Sequence, residues 1–339
     1  VAAHSAGVLD IKTTILPDAD ALFLTAIDRY GHELWRWTFP VNKLNQANEV
    51  LSPLSNKVTS TETENELTVK AKNHTFIFSK KDGQLKGVSV NNRKISFANG
   101  PRFIGARRAD RSLDQFYNHD DEKAKEKDRT YSEFPDAAVF TKLDVKEDGG
   151  NLIVTANYKL GNLDKVQWTI NPNGEAVLDY TYNFSGVVDL MGICFDYPED
   201  QVISKRWLGA GPYRVWQNRI HGTQYDVWEN DYNDPIPGET FTYPEFKGYF
   251  GSVSWMNIRT KEGTISLTNE TPDAYIGVYQ PRDGRDRLLY TLPESGISVL
   301  NVIPPVRNKV NSTDLCGPSS QPKWVNGPQS GRIIFRFME

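Results

Sequence analysis

Short runs in which apolar and polar residues alternate, separated by turn residues, recur along this chain. The clearest example is HTFIFSKKDGQLKGVSVNNRKISF (residues 74–97), in which two alternating runs are joined by KKDG and followed by NNR. Alternation with a period of two is the pattern of a β-strand with one buried face, and such turn residues favour hairpins. No amphipathic helix longer than about three turns is recognisable. The sequence therefore predicts a nearly all-β, antiparallel fold.

The size and composition of the chain exclude several classes of protein. Its 339 residues exceed one minimal core, and 38% hydrophobic with 24% charged residues is typical of a folded protein. A net charge of −4 argues against a nucleic-acid partner, which requires a basic face. Since no run of about 18 apolar residues is present, we expect no membrane-spanning helix. The polar, aromatic-rich β composition favours a periplasmic or secreted bacterial protein.

Changes in composition divide the chain into three parts. Residues 1–40 predict about three strands, too few to bury both faces of a sheet by themselves. Residues 41–66 are polar and rich in Ser, Thr and Asn, which is typical of a linker. Residues 67–339 are long enough for one very large antiparallel sandwich. A charged stretch at 109–133 is predicted as a solvated loop or a short surface helix.

The segment RWLGAGPYRVWQNR (206–219) resembles a signature of family 2 glycoside hydrolases of the β-galactosidase type, WLG-x-GP…Y-x-D/N-R, in their C-terminal β-sandwich. Further segments resemble landmarks of the same region, in the same order. They are NHTFIFSKKDGQLKGVSVNNRKI for its opening hairpin, YPEFKGYFGSVSW (243–255), DLCGPSSQPKW…GRIIFRF (314–337), and residues 8–40 for the last strands of the immunoglobulin-like domain that precedes it. Together these segments cover nearly the whole chain.

This resemblance implies both a fold and a role. The fold is a large antiparallel supersandwich of the galactose-mutarotase-like type at 67–339, preceded by remnant strands of an immunoglobulin-like domain at 1–40. In that family the acid/base and nucleophile glutamates lie on an upstream barrel, and the C-terminal sandwich closes one side of the active-site cleft. The partners implied are that barrel and a carbohydrate. The chain alone is expected to lack hydrolase activity.

The sequence departs from the family pattern in two places. ARRADRSLD (106–114) stands where β-galactosidases have an Arg-Ala-Pro-x-Asp-Asn-Asp stretch, and shares its charge and little else. PESGISVLNVIPP (293–305) has no aromatic residue where the enterobacterial type of this family carries a tryptophan beneath the galactose subsite. Galactose specificity therefore does not carry over, and the parent enzyme could act on another glycoside.

Glycoside hydrolysis needs two carboxylates at a fixed separation across the sugar. No helix face or strand-end pairing brings any two of this chain's acidic candidates together, so solvated loop positions are expected and no catalytic residue is assigned. The candidates considered are Asp226, Glu229, Asp231, Asp234 and Glu245. His221 with Glu245 could instead imitate the base and acid of an aldose epimerase, although a histidine beside a glycine turn is more often structural.

Sugar-binding sites combine flat aromatic rings with hydrogen-bonding groups, and the residues after the GAGP turn have that mixture. Trp207, which leads into the turn, is predicted to belong to the core. The same mixture can also pin a loop without a ligand, because an arginine stacks on a tryptophan. The candidate carbohydrate-binding residues are Tyr213, Trp216, Asn218, Arg219, His221, Glu245 and Trp255.

No metal or other cofactor is predicted. The acidic stretch ENDYNDPIPGE (229–239) offers oxygen ligands for calcium, but it lacks the EF-hand spacing, and a turn rich in Asn, Asp, Pro and Gly needs no metal. Cys194 and Cys316 are the two cysteines of the chain, which allows one disulfide but favours two buried thiols.

Three hypotheses follow for the function. The first is the non-catalytic C-terminal region of a family 2-type glycoside hydrolase, which supports the barrel and lines the sugar cleft. The second is a stand-alone carbohydrate-binding module. The third is an epimerase-like or lyase-like enzyme that uses its own histidine and acidic residues.

Overall fold

The computed structural model describes residues 4–8, 10, 12, 19–41, 57–108, 131–231, 248–279, 292–305 and 317–339. The chain forms two compact units, residues 1–53 and residues 54–339. In the described part, strands dominate, and the helices are single 3₁₀ turns at Glu199–Gln201 and Pro318–Ser320. None of the helices in this part of the chain has the length and hydrophobicity needed to cross a membrane.

The smaller unit contains one antiparallel hairpin, β1 (Ala21–Ile27) and β2 (Glu33–Pro40). Its turn is closed by the Asp28 carboxylate, which accepts hydrogen bonds from the backbone N–H groups of Tyr30 and His32. Two strands of the three expected over 1–40 are thus found in the described residues. Their assignment to an immunoglobulin-like domain remains a prediction.

Among its described residues, the larger unit begins with a ten-stranded antiparallel sheet. Its strand order is β19-β20-β14-β8-β6-β5-β4-β3, with β7 paired to β6 and β9 paired to β8. The strands are β3 (Thr59–Glu62), β4 (Glu66–Ala71), β5 (His74–Ser79), β6 (Leu85–Val90), β7 (Arg93–Ile95), β8 (Ala98–Arg108), β9 (Tyr131–Glu133), β14 (Leu190–Asp196), β19 (Tyr275–Val278) and β20 (Ile297–Val302).

A second antiparallel sheet has nine strands in the part of the chain that the structure describes, in the order β10-β11-β12-β13-β21-β18-β17-β15-β16. The strands are β10 (Val139–Asp148), β11 (Asn151–Lys159), β12 (Leu163–Ile170), β13 (Ala176–Val188), β15 (Val202–Gly211), β16 (Gln224–Asn230), β17 (Trp255–Thr260), β18 (Gly263–Asn269) and β21 (Lys323–Met338).

The two sheets share a core rich in aromatic rings. Phe97, between β7 and β8, stacks on Phe195 of β14 with ring centroids 4.5 Å apart. The ring centroid of Phe335 on β21 lies 5.2 Å from that of Phe97. Trp168 of β12 packs 6.1 Å from Phe195. Buried rings that alternate along strands explain the sequence pattern, because every second residue enters the core. The prediction of a large, nearly all-β antiparallel sandwich is confirmed.

A second, smaller apolar cluster lies on the opposite face of the ten-stranded sheet. Ile104 and Ala106 of β8 belong to it, whereas Phe103 belongs to the main core, as alternation along one strand requires. A segment beyond β15 covers this face and contributes Trp216 to the cluster. The sheet is therefore buried on both sides near the end of β8.

The boundaries of the sheets differ from the composition-based divisions at two places. β3 lies inside the range 41–66 expected to be a linker; all four of its residues are exposed, so no apolar alternation marks it. In the charged stretch 109–133, residues 131–133 form β9 against the end of β8, and residues 109–130 lie outside the described part. The predicted hairpin at 74–97 is confirmed as β5 and β6.

Candidate functional site

Most of the RWLGAGP segment lies on β15, next to the edge strand β16 of the nine-stranded sheet. Its glycines allow neighbouring residues to pack closely against the β15 backbone. A Cβ at Gly209 would lie 3.0 Å from Val253 Cα. A Cβ at Gly211 would collide with the indole ring of Trp228, which is held by its Nε1–H bond to the Gln224 carbonyl at 3.1 Å. The glycines of this signature are thus required by packing.

Trp207 is a core residue, as the sequence predicted. Its side chain is buried, and its ring packs edge-on against Phe250 at 4.9 Å between centroids. Its Nε1–H donates to the carbonyl of Ala210 at 3.0 Å, which satisfies the polar end of the indole. This ring fixes the strand end from which the following loop departs.

The segment after β15, residues 212–223, is called here the aromatic loop. Its first anchor is Arg214, which is buried, with the guanidinium carbon 4.5 Å from the centroid of the Phe250 ring. An Arg214 NH1 group also donates to the Val278 carbonyl at 3.4 Å. A cation on an aromatic face therefore stabilises this loop within the chain itself.

The second anchor is Trp216, whose side chain is 0% exposed. Its ring meets Tyr249 edge-on at 5.8 Å, and the neighbouring Val215 exchanges two backbone hydrogen bonds with Tyr249, at 2.7 and 2.8 Å. Trp216 was expected to be a sugar contact. The structure instead places its ring in the apolar cluster on the outer face of the ten-stranded sheet, with no face open to a sugar.

The third anchor joins the aromatic loop to the segment before β21. The Gln217 amide donates to the carbonyls of Ser319 and Gln321 at 3.0 and 2.6 Å. Asn218, another expected sugar contact, donates through Nδ2 to Ser320 Oγ at 3.1 Å and is half-buried. The amide of Asn218 thus has a structural partner in this conformation.

Three of the expected contacts do face solvent. Tyr213 is 41% exposed, and Arg219 and His221 are exposed beyond the turn that Trp216 and Arg219 close by backbone hydrogen bonds. A cleft of about 390 Å³ lies beside this turn, and its lining includes Ile220 and Tyr275. An exposed aromatic ring, a cation and an imidazole on an anchored loop can contact a ligand presented from outside.

Trp255 lies on β17, next to Leu208 of β15 in register. Its side chain is half-buried, and the guanidinium carbon of Arg206 lies 5.9 Å from its ring centroid. This ring is therefore part of the strand surface rather than of the aromatic loop. Glu245, the remaining sugar-contact candidate, lies outside the described residues.

The described acidic candidates do not converge as a catalytic pair. Asp226 and Glu229 lie three positions apart on β16, so their side chains point to opposite faces of the strand. Glu229 faces Arg206 at 4.0 Å, with both side chains more than half exposed. Asp231 is exposed at the end of the described segment, and Asp234 and Glu245 lie outside it.

No group of three or more His, Cys, Asp or Glu side chains in the described ranges is arranged to hold a metal ion. Most of the acidic turn at 229–239 lies outside those ranges. Cys194 is a buried free thiol, and burial raises its pKa to about 11. It is therefore a packing residue; Cys316 lies outside the described residues.

A cleft that the sequence analysis did not anticipate lies at the beginning of β8. It measures about 640 Å³ and is lined by Asn99, Arg102 and Asp196 among others. Arg102 and Asp196 are 94 positions apart, so no local spacing links them in the sequence. The nearest signal is Asn-Gly-Pro at 99–101, residue types that are typical of a turn, although the structure places them inside β8.

Comparison with known proteins gives one family and several solved structures. No curated protein matches. The chain is similar in structure to a galactose 1-epimerase from Lactobacillus acidophilus, with 10% identity and a TM-score of 0.46 over 84% of this chain and 99% of that one. A GalM/aldose epimerase homologue from C. elegans gives 8% identity and a TM-score of 0.40 over 83% and 99%. The sequence of residues 70–304 matches the beta galactosidase small chain family, and the protein therefore belongs to that family.

Proposed function

We propose that this chain is the non-catalytic C-terminal region of a β-galactosidase-like, family 2-type glycoside hydrolase. In this role the sandwich supports a catalytic barrel supplied by another part of the parent enzyme. The aromatic loop contributes to the rim of the sugar cleft through Tyr213, Arg219 and His221. The partners are thus the barrel and a carbohydrate.

The observation that carries this proposal is the family match over residues 70–304, which spans most of the larger unit. The matched range includes the whole aromatic loop and both strands that flank it, β15 and β16. A fold by itself does not define an activity, so the role must come from the site. The site supplies a rim and no arranged catalytic pair among the described residues.

The anchoring of the aromatic loop supports a positioning role. Arg214, Trp216 and Gln217 attach it to three separate parts of the larger unit, β19, the outer apolar cluster and the segment at 317–321. Side chains on a loop held in this way lose little conformational freedom when a ligand arrives. Tyr213 and Arg219 are therefore suited to orient a sugar that is cleaved by residues of another domain.

The test is an activity assay on residues 1–339 alone with a panel of nitrophenyl β-glycosides, including the galactoside, glucoside and glucuronide. We expect no turnover above the uncatalysed rate. Hydrolysis that disappears on substitution of an acidic residue of this chain would overturn the proposal.

The same preparation separates the two alternatives. Polarimetry of freshly dissolved galactose and glucose measures mutarotation, and an acceleration lost in His221→Ala would establish an epimerase-like enzyme instead. Tight binding of an oligosaccharide by a protein encoded without any barrel domain would establish a stand-alone binding module. The matched control for His221→Ala is His32→Ala, which changes an exposed histidine of the smaller unit.

A further inference from the structure

The cleft at the beginning of β8 is separate from the aromatic loop. Asn99 and Arg102 lie at the start of this strand, whereas Ile104 and Ala106 farther along it belong to the cluster that includes Trp216. Seven residues of strand separate Asn99 from Ala106, which corresponds to about 23 Å. The rim residues Tyr213, Arg219 and His221 are not among those that line this cleft.

A closed set of hydrogen bonds shapes one wall of the cleft. An Arg102 NH2 group donates to Asp196 Oδ1 at 2.7 Å, and the Asn99 Nδ2 donates to Asp196 Oδ2 at 2.8 Å. Arg102 also donates through NH1 to the backbone carbonyl of Asn99. Each member fixes the other two, so the arrangement presents oriented donors and acceptors before any ligand arrives.

These groups remain accessible in spite of their mutual bonds. The side chains of Arg102 and Asp196 are 34% and 51% exposed, so both can make further hydrogen bonds. Burial alone would raise the pKa of Asp196, but hydrogen bonds from Arg102 and Asn99 lower it below its usual value. Asp196 therefore remains an ionised acceptor at neutral pH.

Tyr197 and Tyr279 also line the cleft. Tyr197 donates its hydroxyl to Glu262 Oε2 at 2.9 Å, and Tyr279 donates its hydroxyl to the Pro198 carbonyl at 2.9 Å. Both phenol groups are thus tied to the protein, and their rings are held in place. Both tyrosines belong to the main core, at 5% and 8% exposure, so they form a fixed base for the polar wall and leave a sugar to be held by hydrogen bonds.

The backbone around Tyr279 is held in a rare conformation. Its φ is +62°, which is uncommon for a bulky residue, and Gly296 opposite it has φ +48°. The Tyr279 N–H donates to the Gly296 carbonyl at 2.7 Å, which maintains this geometry. This bond fixes the residue after β19 against Gly296 at the cleft.

The charges around the cleft favour a neutral ligand. The lining holds two basic and three acidic side chains, so its charges nearly balance. They are Lys94, Arg102, Asp196, Glu199 and Glu294. A strongly anionic or cationic ligand would meet a like charge at close range, whereas hydroxyl groups can donate to the carboxylates and accept from the cations.

We propose that this cleft binds one neutral sugar residue of an oligosaccharide, with the Arg102–Asp196–Asn99 set hydrogen-bonded to neighbouring hydroxyls. Its volume of about 640 Å³ lies within the range of small-molecule sites. The site is a second carbohydrate contact, independent of the cleft rim that the proposed function assigns to the aromatic loop.

The test measures sugar binding to residues 1–339 by saturation-transfer difference NMR and calorimetry. The probes are D-galactose, lactose, cellobiose and maltose, with galacturonate and glucosamine as charged comparisons. We expect at least one neutral probe to bind, and to bind more tightly than either charged one. Asp196→Ala should weaken that binding about tenfold or more, because it removes a charged acceptor and releases Arg102.

The matched control is Asp179→Ala, which breaks a similar ion pair with Arg332 at 3.1 Å on the nine-stranded sheet. It should leave sugar affinity within about twofold of wild type. Asn99→Gly serves as a second variant, since glycine accepts the φ of +51° at this position while the amide is removed. It should weaken binding by about threefold or more and keep the wild-type unfolding midpoint.

Three results would overturn the proposal. They are no neutral probe binding at all, tighter binding of a charged probe, or wild-type affinity in a folded Asp196→Ala variant. Because Tyr213, Arg219 and His221 do not line this cleft, wild-type affinity in a folded Asp196→Ala variant would refute this site and leave the proposed role of the aromatic loop open. Conversely, an inactive reconstituted enzyme would not contradict the proposal that this cleft binds a sugar.

Discussion

Replacing Trp216 by alanine tests whether the aromatic loop is an anchored structural element. The side chain is 0% exposed, and it belongs to an apolar cluster with residues of β8, β14 and β20. Its removal exposes a cavity beneath the loop rather than a binding face. We therefore expect a loss of stability, and any effect on ligand binding should follow from that loss.

The magnitude can be worked from burial. A fully buried tryptophan removes about 200 Å² or more from water, which at about 25 cal/mol per Å² corresponds to about 5 kcal/mol as an upper value. Measured Trp→Ala substitutions in cores lower the free energy of unfolding by about 3–5 kcal/mol. We expect Trp216→Ala to fall in that range.

The assay is urea unfolding of the full chain followed by far-ultraviolet circular dichroism, which avoids the change in fluorescence caused by losing one tryptophan. Trp324→Ala is the matched control, because the same substitution is made at a side chain that is 71% exposed. Its free energy of unfolding should change by about 0.5 kcal/mol or less. The slope of unfolding free energy against urea should be equal in all three proteins.

The reasoning would be refuted by a Trp216→Ala protein as stable as the Trp324→Ala control. Wild-type stability combined with complete loss of sugar binding would instead identify Trp216 as a ligand contact. In that case the loop must open in solution, and the burial of Trp216 would describe a closed state of the site.

Two further predictions concern packing and reactivity. Gly211→Ala should lower the free energy of unfolding by about 1–3 kcal/mol in the same urea assay, because its Cβ would collide with the Trp228 ring. Gly87→Ala is the control: nothing lies within 4 Å of its Cβ, so it should change the free energy of unfolding by less than about 0.5 kcal/mol. Equal losses in the two variants would contradict the packing explanation. In a Cys316→Ser background, the Cys194 thiol of the folded protein should resist Ellman's reagent at pH 8, because with a pKa of about 11 only about one thiol in a thousand is ionised. The same thiol should react fully in urea, which removes its burial. Rapid reaction of the native protein would show that the thiol is accessible.

Most strands could be predicted because their burial alternates. β5 and β6 carry apolar residues at every second position and are joined by turn residues, so the pattern and the structure agree. β21 runs over Lys323–Met338, but apolar residues mark only its second half, so the sequence pattern predicts only that half of the strand. The first half is polar and pairs with the end of β13, an arrangement set by a partner far away in the sequence.

The candidate site could be predicted as a region but not residue by residue. Tyr213 and Trp216 stand three positions apart in an irregular loop, where spacing does not define a buried face. Trp216 is buried partly by contact with the ring of Tyr249, which lies 33 positions later in the sequence, and no sequence pattern links the two residues. Arg102 and Asp196 were missed for the same reason, since they meet when β8 pairs with β14.

Under the proposed function, glycosidase chemistry lies outside this chain, while the chain is needed for it. The most direct measurement is kcat/KM for a nitrophenyl β-glycoside, with the barrel-bearing part of the parent enzyme assayed alone and then with residues 1–339 added. The account predicts little activity for either part and restored activity for the mixture, with Tyr213→Ala raising KM more than Trp324→Ala does. Full activity of the barrel part alone, or hydrolysis by residues 1–339 alone, would contradict the account.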